Sequence, residues 1–444
     1  MKRRLAFLSI IAVLWTASAY AVDSCPTLFA SNPYPPKFDL KLTFSRVMKN
    51  VGPADSRRGV VVAAQTRHSP NYYFHWTRDA GLTMDVVISQ YKRTTEPEER
   101  LRLETAITNY VDFSAEIQRK ETLTGLGEPK FYHDGNVHNE PWGRPQNDGP
   151  AIRAISLIHW AEILIAEGKT ELVKKKIYDG RHPSHSVVKK DLEYVSHHWR
   201  DPSFDLWEEV KGDHFYTRMV QRRALIEGAQ LASTLGDSGA ADWYLSQAKE
   251  IEKSLESFWD PTRGYFVTTL NRVDGLDYKN SQLDSAFVLG LLHGSLDDGF
   301  LPFADPRVQA TIEKLIWSFK TQYPINQIPG IAGVAIGRYT EDRFAGANFN
   351  GGNPWALCTL AMAEAFYKTA DELNRKMAVN RAATFIAKGD EMVRRVAYHS
   401  HSDGSLNEQI DRSTGYMTSV EDLTWSYAAL ITSYWARLEA LGRK

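Results

Sequence analysis

Three segments of this chain hold residue types that could do chemistry together. Asp205-Leu206-Trp207-Glu208-Glu209-Val210 sets two carboxylates side by side next to a tryptophan. Like charges packed against an apolar ring push one carboxyl toward its protonated form, which is what a general acid needs. Gly404-Ser405-Leu406-Asn407-Glu408-Gln409 places a lone glutamate among polar residues, a setting that suits an ionised base. Two carboxyls on separate segments are what glycoside hydrolysis uses: one protonates the leaving oxygen, and the other activates water on the opposite face or attacks directly. The third segment, Tyr72-Tyr73-Phe74-His75-Trp76-Thr77-Arg78-Asp79, joins aromatic faces to a charge pair at an expected helix start. Arg78 and Asp79 can hold vicinal hydroxyls while Trp76 or Tyr72 packs on C–H groups.

Trp142-Gly143-Arg144-Pro145-Gln146 and Gly337-Arg338-Tyr339-Thr340-Glu341-Asp342 repeat this mixture of aromatic, arginine and glycine. Trp355 and Trp425 sit at expected helix starts. Each feature also has a plainer reading: an acidic helix end, a solvated loop carboxylate, a buried Arg–Asp pair, core tryptophans. Other motifs carry no chemistry. Gly236-Asp237-Ser238-Gly239 falls between two expected helices and reads as an N-cap. Gly125-Leu126-Gly127 lacks the strand-turn-helix context of a dinucleotide site. The pairs His182/His185 and His197/His198 have no companions at metal-ligand spacing.

Something must position these segments, and the periodicity says helices. Apolar residues recur at helical spacing near 41–50, 78–91, 97–119, 149–167, 186–199, 214–235, 238–258, 283–294, 306–321, 353–371, 374–398 and 421–441. In 214–235 the stripe is Phe215, Met219, Ile226, Ala229 and Ala232, with Arg218, Arg222 and Gln230 off it. Pro97, Pro306 and Pro354 mark helix starts. Strand-like runs occur only at 59–64 and 264–269. Twelve helices without a clean repeat predict an all-α chain, a closed ring of six helical hairpins forming one domain. Three long loops, about 120–148, 259–282 and 322–352, are rich in Gly, Asn, Pro and aromatics, and such loops commonly carry function.

Composition agrees with a large globular core: of 444 residues, 43% are hydrophobic and 24% charged. The net charge of −1, with no basic stripe, argues against a nucleic-acid partner. Lys2, Arg3 and Arg4, the apolar run Leu5 to Trp15, and Ala19-Tyr20-Ala21 read as a secretory signal peptide over 1–21, leaving 22–444 as the exported domain, secreted or periplasmic. No other stretch reads as a membrane span. With only two cysteines there is no disulfide framework: Cys358 reads as a buried thiol and Cys25 as an exposed one.

Together these segments resemble the glucoamylases of glycoside hydrolase family fifteen, in particular the fungal-type branch. The resemblance runs in order through Trp76-Thr77-Arg78-Asp79, Gly125-Leu126-Gly127-Glu128-Pro129-Lys130-Phe131, Trp142-Gly143-Arg144-Pro145-Gln146, Asp205 to Val210, Gly337-Arg338-Tyr339, Asn353-Pro354-Trp355, Gly404 to Gln409 and Asp422-Leu423-Thr424-Trp425-Ser426-Tyr427. It implies an (α/α)6 barrel and exo-acting release of β-glucose, with inversion, from non-reducing ends of α-1,4-glucans. By motif, Glu208 would be the general acid and Glu408 the general base. Tyr72 would lie near the nucleophilic water, with Arg78, Asp79 and Arg338 on the sugar. Trp142, Glu209 and Asp342 would shape the first two subsites, Trp355 and Trp425 would wall the pocket, and Trp76 would bind substrate. The resemblance implies no cofactor and an α-glucan or maltooligosaccharide as the binding partner; a monomer without a metal is expected.

The chain departs from the pattern at Asn139-Glu140-Pro141, where the family usually has small residues, which bears on α-1,4 against α-1,6 preference. His75, His133 and His138 stand close enough in sequence to tune a pH profile. With no starch-binding segment after the last helix, soluble dextrins or glycogen are expected over raw granules. Two other readings stay open at this point: a related inverting hydrolase of isomaltosaccharides or trehalose, and an inactive glucan-binding protein.

Overall fold

The computed structural model describes residues 32–182 and 186–443. The predicted leader, Cys25 and His185 lie outside the described residues. From Pro33 onward the chain forms one compact unit.

Helices alternate between two layers. The inner ones are α2 (Thr77–Arg93), α4 (Asp148–Ala166), α7 (Phe215–Thr234), α9 (Ala286–Gly294), α11 (Ala356–Arg375) and α13 (Thr424–Ala440). They touch in a closed cycle, α2 to α4 to α7 to α9 to α11 to α13 and back to α2. The outer ones are α1 (Leu40–Lys49), α3 (Pro97–Ile117), α6 (Val187–His198), α8 (Ser238–Glu256), α10 (Pro306–Gln322) and α12 (Val379–His399). This is the expected (α/α)6 barrel. A thirteenth helix, α5 (Thr170–Lys176), is a short piece the periodicity does not reveal.

The layers differ for a physical reason. An outer helix buries one stripe: in α12 the buried residues Ala382, Ile386, Gly389, Met392, Val393 and Val396 follow helical spacing. An inner helix has neighbours all round, so its sequence is apolar all round or its polar groups are paired inside. α4 meets the length and composition of a membrane span, contrary to the sequence reading, yet 72% of that window is buried in the protein. α7 keeps only part of its expected polar face, at the exposed Gln230. Arg218 and Arg222 are buried, Arg218 on Asp213 at 2.9 Å and Arg222 on Glu252 at 2.9 Å, while Ile226 is only half-buried.

Helix starts follow the expected chemistry. Pro97 and Pro306 occupy first-turn positions, and the Asp39 and Asp305 carboxylates accept from Leu42 N and Arg307 N. Pro354 instead lies two residues before α11, where its carbonyl accepts from Ile410 N. Asp237 is the N-cap of α8 without capping it by side chain; its carboxylate takes Lys189 Nζ at 2.7 Å and Tyr178 Oη at 2.9 Å.

Short antiparallel sheets decorate the barrel: β1 (Phe74–Trp76) with β2 (Lys130–Tyr132); β3 (Ser203–Phe204), β4 (Val210–His214) and β7 (Thr269–Gly275); β5 (Trp259–Asp260) with β6 (Tyr265–Phe266); and β8 (Asn407–Ile410) with β9 (Met417–Glu421). The run 59–64 is not a strand and carries only an isolated Val51–Val61 bridge. Its apolar residues Val60 to Ala64 are buried on both sides, so they serve the core instead of a sheet. The run 264–269 splits between β6 and the start of β7.

Candidate active site

Every inner helix begins at the same end of the barrel. Trp76 precedes α2, Gln146 and Asn147 precede α4, Asp284 and Ser285 precede α9, Trp355 precedes α11, and Trp425 lies in the first turn of α13. The helix amides there carry partial positive charge, which favours carboxylates gathered at that end. A cavity of about 680 Å³ opens there.

Glu208 reaches the cavity from the turn between β3 and β4. Its backbone is held at φ 67°, a left-handed conformation that is costly for a side chain other than glycine's. Asp205 braces the turn: its carbonyl accepts from Glu208 N at 2.9 Å, and its carboxylate accepts from Glu209 N at 2.8 Å and Val210 N at 3.0 Å. Burial alone would raise the Asp205 pKa, but Lys279 and His214 beside it, with those two amides, hold it below the usual range. Lys279 also binds Asp284 at 2.9 Å, and Asp284 accepts from Trp207 Nε1 at 2.9 Å, so a buried chain of charge ties the turn to α9. Gly143 is required alongside, because a Cβ there would lie 2.6 Å from the Glu208 carbonyl oxygen.

The Glu208 carboxyl has different neighbours from those expected. Oε1 accepts from Trp76 Nε1 at 2.7 Å and Gln146 Nε2 at 3.0 Å, with Arg78 at 3.8 Å. Trp207 points its N–H at Asp284, and the Glu209 carboxylate is taken by Arg338 at 2.7 Å and Tyr339 Oη at 2.7 Å. The adjacency of Trp207 and Glu209 in sequence therefore does not supply the hydrogen bonds to Glu208.

Glu408 sits on β8, not in a solvated loop, and is fully buried. Oε2 accepts from Ser419 Oγ at 2.6 Å and Gln409 Nε2 at 3.0 Å, while Oε1 has no hydrogen-bond partner among the described residues. Burial pushes its pKa up; Ser419, Tyr72, Arg338 and Gln409 pull against that. Removing the Ser419 hydroxyl removes a stabiliser of the ionised form. In Ser419→Ala the acid limb of kcat/KM should move up by about one pH unit, since a hydrogen bond to a charged group is worth about 1.5–3 kcal/mol and a pKa unit about 1.4. An unmoved limb in a pH–rate profile would show that Glu408 does not set it.

Arg78 is a hub: it donates to Gln146 Oε1 at 2.9 Å and Asp148 Oδ2 at 3.1 Å, and lies 3.4 Å from Asp79. Burial, opposed by Arg78, raises the Asp79 pKa to about 6. Tyr72, Trp76, Arg78, Asp79 and Trp142 all line the cavity, as do Glu209, Arg338, Trp355 and Trp425. Asp342 does not. It is buried behind Arg338, holding the guanidinium at 2.8 and 2.6 Å, so it positions a cavity residue without facing the cavity.

His75 and His138 are held neutral. Burial, helped by Arg153, lowers the His75 pKa to about 3, and its Nδ1 accepts from Val61 N. Burial, with Lys130 beside it, lowers His138 to about 4. His133 packs on Tyr73, with ring centroids 5.1 Å apart. Cys358 is a buried free thiol, as expected.

Sequence reasoning missed several contributors. Lys130 is 2% exposed, and its ammonium lies 3.1 Å from the Trp142 ring centroid and 4.7 Å from that of Trp76. Burial lowers its pKa to about 8. Lys130 stands inside a motif already singled out, as does Gln146. Lys279, Ser419, Phe344 and Phe349 carry no local signal. Glu140, from the departing Asn139-Glu140-Pro141 segment, lies in the cavity lining.

The family model described as Glycosyl hydrolases family 15 matches residues 43–435. The chain belongs to this family. Among family members, glucoamylase of Blastobotrys adeninivorans is 35% identical over 441 residues, covering 90% of this chain and 70% of the relative. Glucoamylase 1 of Rhizopus oryzae is 34% identical over 432 residues, covering 89% and 69%. The solved family 15 glucoamylase from Hypocrea jecorina superposes with a TM-score of 0.81 at 31% identity, covering 89% of this chain and 70% of that one. Glucoamylase from Saccharomycopsis fibuligera gives 0.81 at 28% identity, covering 94% and 99%. The family match spans every segment that lines the cavity, from Ala63 to Trp425.

Proposed function

We propose that this chain is a glucoamylase, releasing β-glucose from non-reducing ends of α-1,4-glucans, with Glu208 as general acid and Glu408 as general base. One observation carries the assignment of roles. Both carboxyls face one cavity, and each has one oxygen fixed by protein donors: Oε1 of Glu208 by Trp76 and Gln146, Oε2 of Glu408 by Ser419 and Gln409. The other oxygen of each is left for the reaction. Glu208 donates its proton to the glycosidic oxygen as the C1–O bond breaks. Water forms the new bond to C1 from the opposite face and loses its proton to Glu408 Oε1, which inverts the anomer. Arg78, Asp79 and Arg338 hold hydroxyls of the terminal glucose, and Trp76, Trp142, Trp355 and Trp425 supply apolar faces.

A pocket at one end of a closed helical ring admits a chain end in preference to a chain interior, which supports exo attack. The same reading takes 22–444 as a single catalytic domain acting as a monomer. It takes residues 1–21 as a leader removed on export to the periplasm or medium.

Proton NMR of the protein with maltoheptaose, recorded in the first minutes, tests the reading. β-Glucose should appear first, with the chain shortening one unit at a time. Early α-anomer would overturn the acid–base pair and demand a nucleophile. Glucose from isomaltose or trehalose, with none from maltoheptaose, would redirect the substrate assignment.

A further inference from the structure

A file of aromatic rings leads out of the cavity. Centroids are 5.7 Å apart from Trp207 to Trp355, 6.3 Å from Trp355 to Phe344 and 5.9 Å from Phe344 to Phe349. Exposure rises along it: Trp207 and Trp355 are buried, Phe344 is half-buried, and Phe349 is 71% exposed. The inner three rings surround Arg338, whose guanidinium lies 5.2–5.5 Å from each centroid. Among the described residues Phe349 has no such partner, yet it belongs to the cavity lining.

A phenylalanine that exposed gains almost nothing from the fold, since the apolar area it removes from water is small. The loop that carries it is nonetheless braced. Ala345 N donates to Asn348 O at 2.8 Å, Gly351 N to Arg343 O at 3.1 Å and Gly352 N to Asp342 O at 2.6 Å. Gly346, at φ 78°, comes so close to Ser419 that a Cβ would lie 2.7 Å from its hydroxyl oxygen. The same hydroxyl donates to Glu408. The ring is thus displayed at the mouth by a fixed scaffold, between two exposed asparagines.

We infer that Phe349 is a stacking platform for glucosyl units beyond the pair that flanks the scissile bond, and so selects longer maltooligosaccharides over maltose. The inference rests on the proposed glucan-hydrolysing activity. The C–H face of a pyranose ring covers an aromatic face and releases water from both. Asn348 and Asn350 beside the ring offer hydrogen bonds to the hydroxyls that rim the sugar. Only a chain long enough to reach the mouth gains this contact, and maltose held between Glu208 and Glu408 does not.

The test compares kcat/KM on maltoheptaose and on maltose for the wild type, Phe349→Ala and Phe349→Trp. In Phe349→Ala the ratio of the two should fall about fivefold or more, through KM and not kcat, and Phe349→Trp should retain it. A ratio within twofold of wild type, or equal losses on both substrates, overturns the inference. A merely structural role would lower the melting temperature and depress both substrates alike. If the wild type releases glucose from neither, the activity reading fails. Calorimetric binding of maltoheptaose then decides the platform by itself: about fivefold weakening in Phe349→Ala supports it, and equal affinity overturns it.

Discussion

Glu208→Gln should lose about a thousandfold in kcat while still binding maltooligosaccharide with little change in affinity. The substitution keeps shape and keeps an oxygen where Trp76 Nε1 and Gln146 Nε2 donate, at 2.7 and 3.0 Å in the wild type. Arg78, 3.8 Å away, keeps its bonds to Asp148 and Gln146, and a glutamine is as neutral as the protonated acid it replaces. What disappears is the proton on the free oxygen, and proton donation by a positioned acid contributes about 10²–10⁴ in rate. A thousandfold is roughly 4 kcal/mol of barrier. Steady-state kinetics with a calorimetric Kd reads both halves. Retention of more than about a tenth of wild-type kcat would remove Glu208 from the acid role, and loss of binding together with turnover would indicate a damaged pocket.

Arg338→Leu should cost about 3–5 kcal/mol of stability as well as activity. Arg338 is 3% exposed and binds both oxygens of Asp342 and one of Glu209. The Asp342 side chain is wholly buried, so leucine leaves one carboxylate without its cation, and Glu209 with only Tyr339 and the more distant pull of Lys279. Breaking a buried pair by deleting one partner carries that scale of penalty. Arg338→Lys should fall between, because a single ammonium cannot match the planar fork that reaches both acids. Urea titration of the three proteins checks the order. A leucine variant within about 1 kcal/mol of wild type would mean the two acids find protons or water at little cost. Loss of turnover exceeding the loss of folded protein would mark the contribution of Arg338 to sugar binding.

The helical ring was legible because it is local. Period-3.6 patterns, prolines at first turns and polar caps depend on residues a few positions apart, so twelve of the thirteen helices among the described residues can be read directly. α5 escaped because seven residues span too few turns to show a period. The placing of Arg218 and Arg222 on the polar side of α7 failed for the opposite reason. Whether an arginine faces water or is buried against a carboxylate depends here on Glu252, 30 residues away in sequence, not on the arginine's own helix.

The site divides in the same way. Residue types and their order named Glu208, Glu408, Arg78, Asp79 and the tryptophans, because the chemistry of a side chain is a property of that side chain. Their environments came only from ring closure, which brings Trp76 to Glu208 across 132 positions and Arg338 to Glu209 across 129. Sequence neighbours made Trp207 and Glu209 look like the partners of Glu208, and made Glu408 look solvated. The turn at φ 67° and the pairing of β8 with β9 send those side chains elsewhere. The sequence by itself determined which groups can give and take protons and that a scaffold of helices frames them. Tertiary structure decided which oxygen of each carboxyl stays free, that Asp342 stands behind Arg338, and that Phe349 reaches the mouth. Each of these depends on distances between segments that no local pattern encodes.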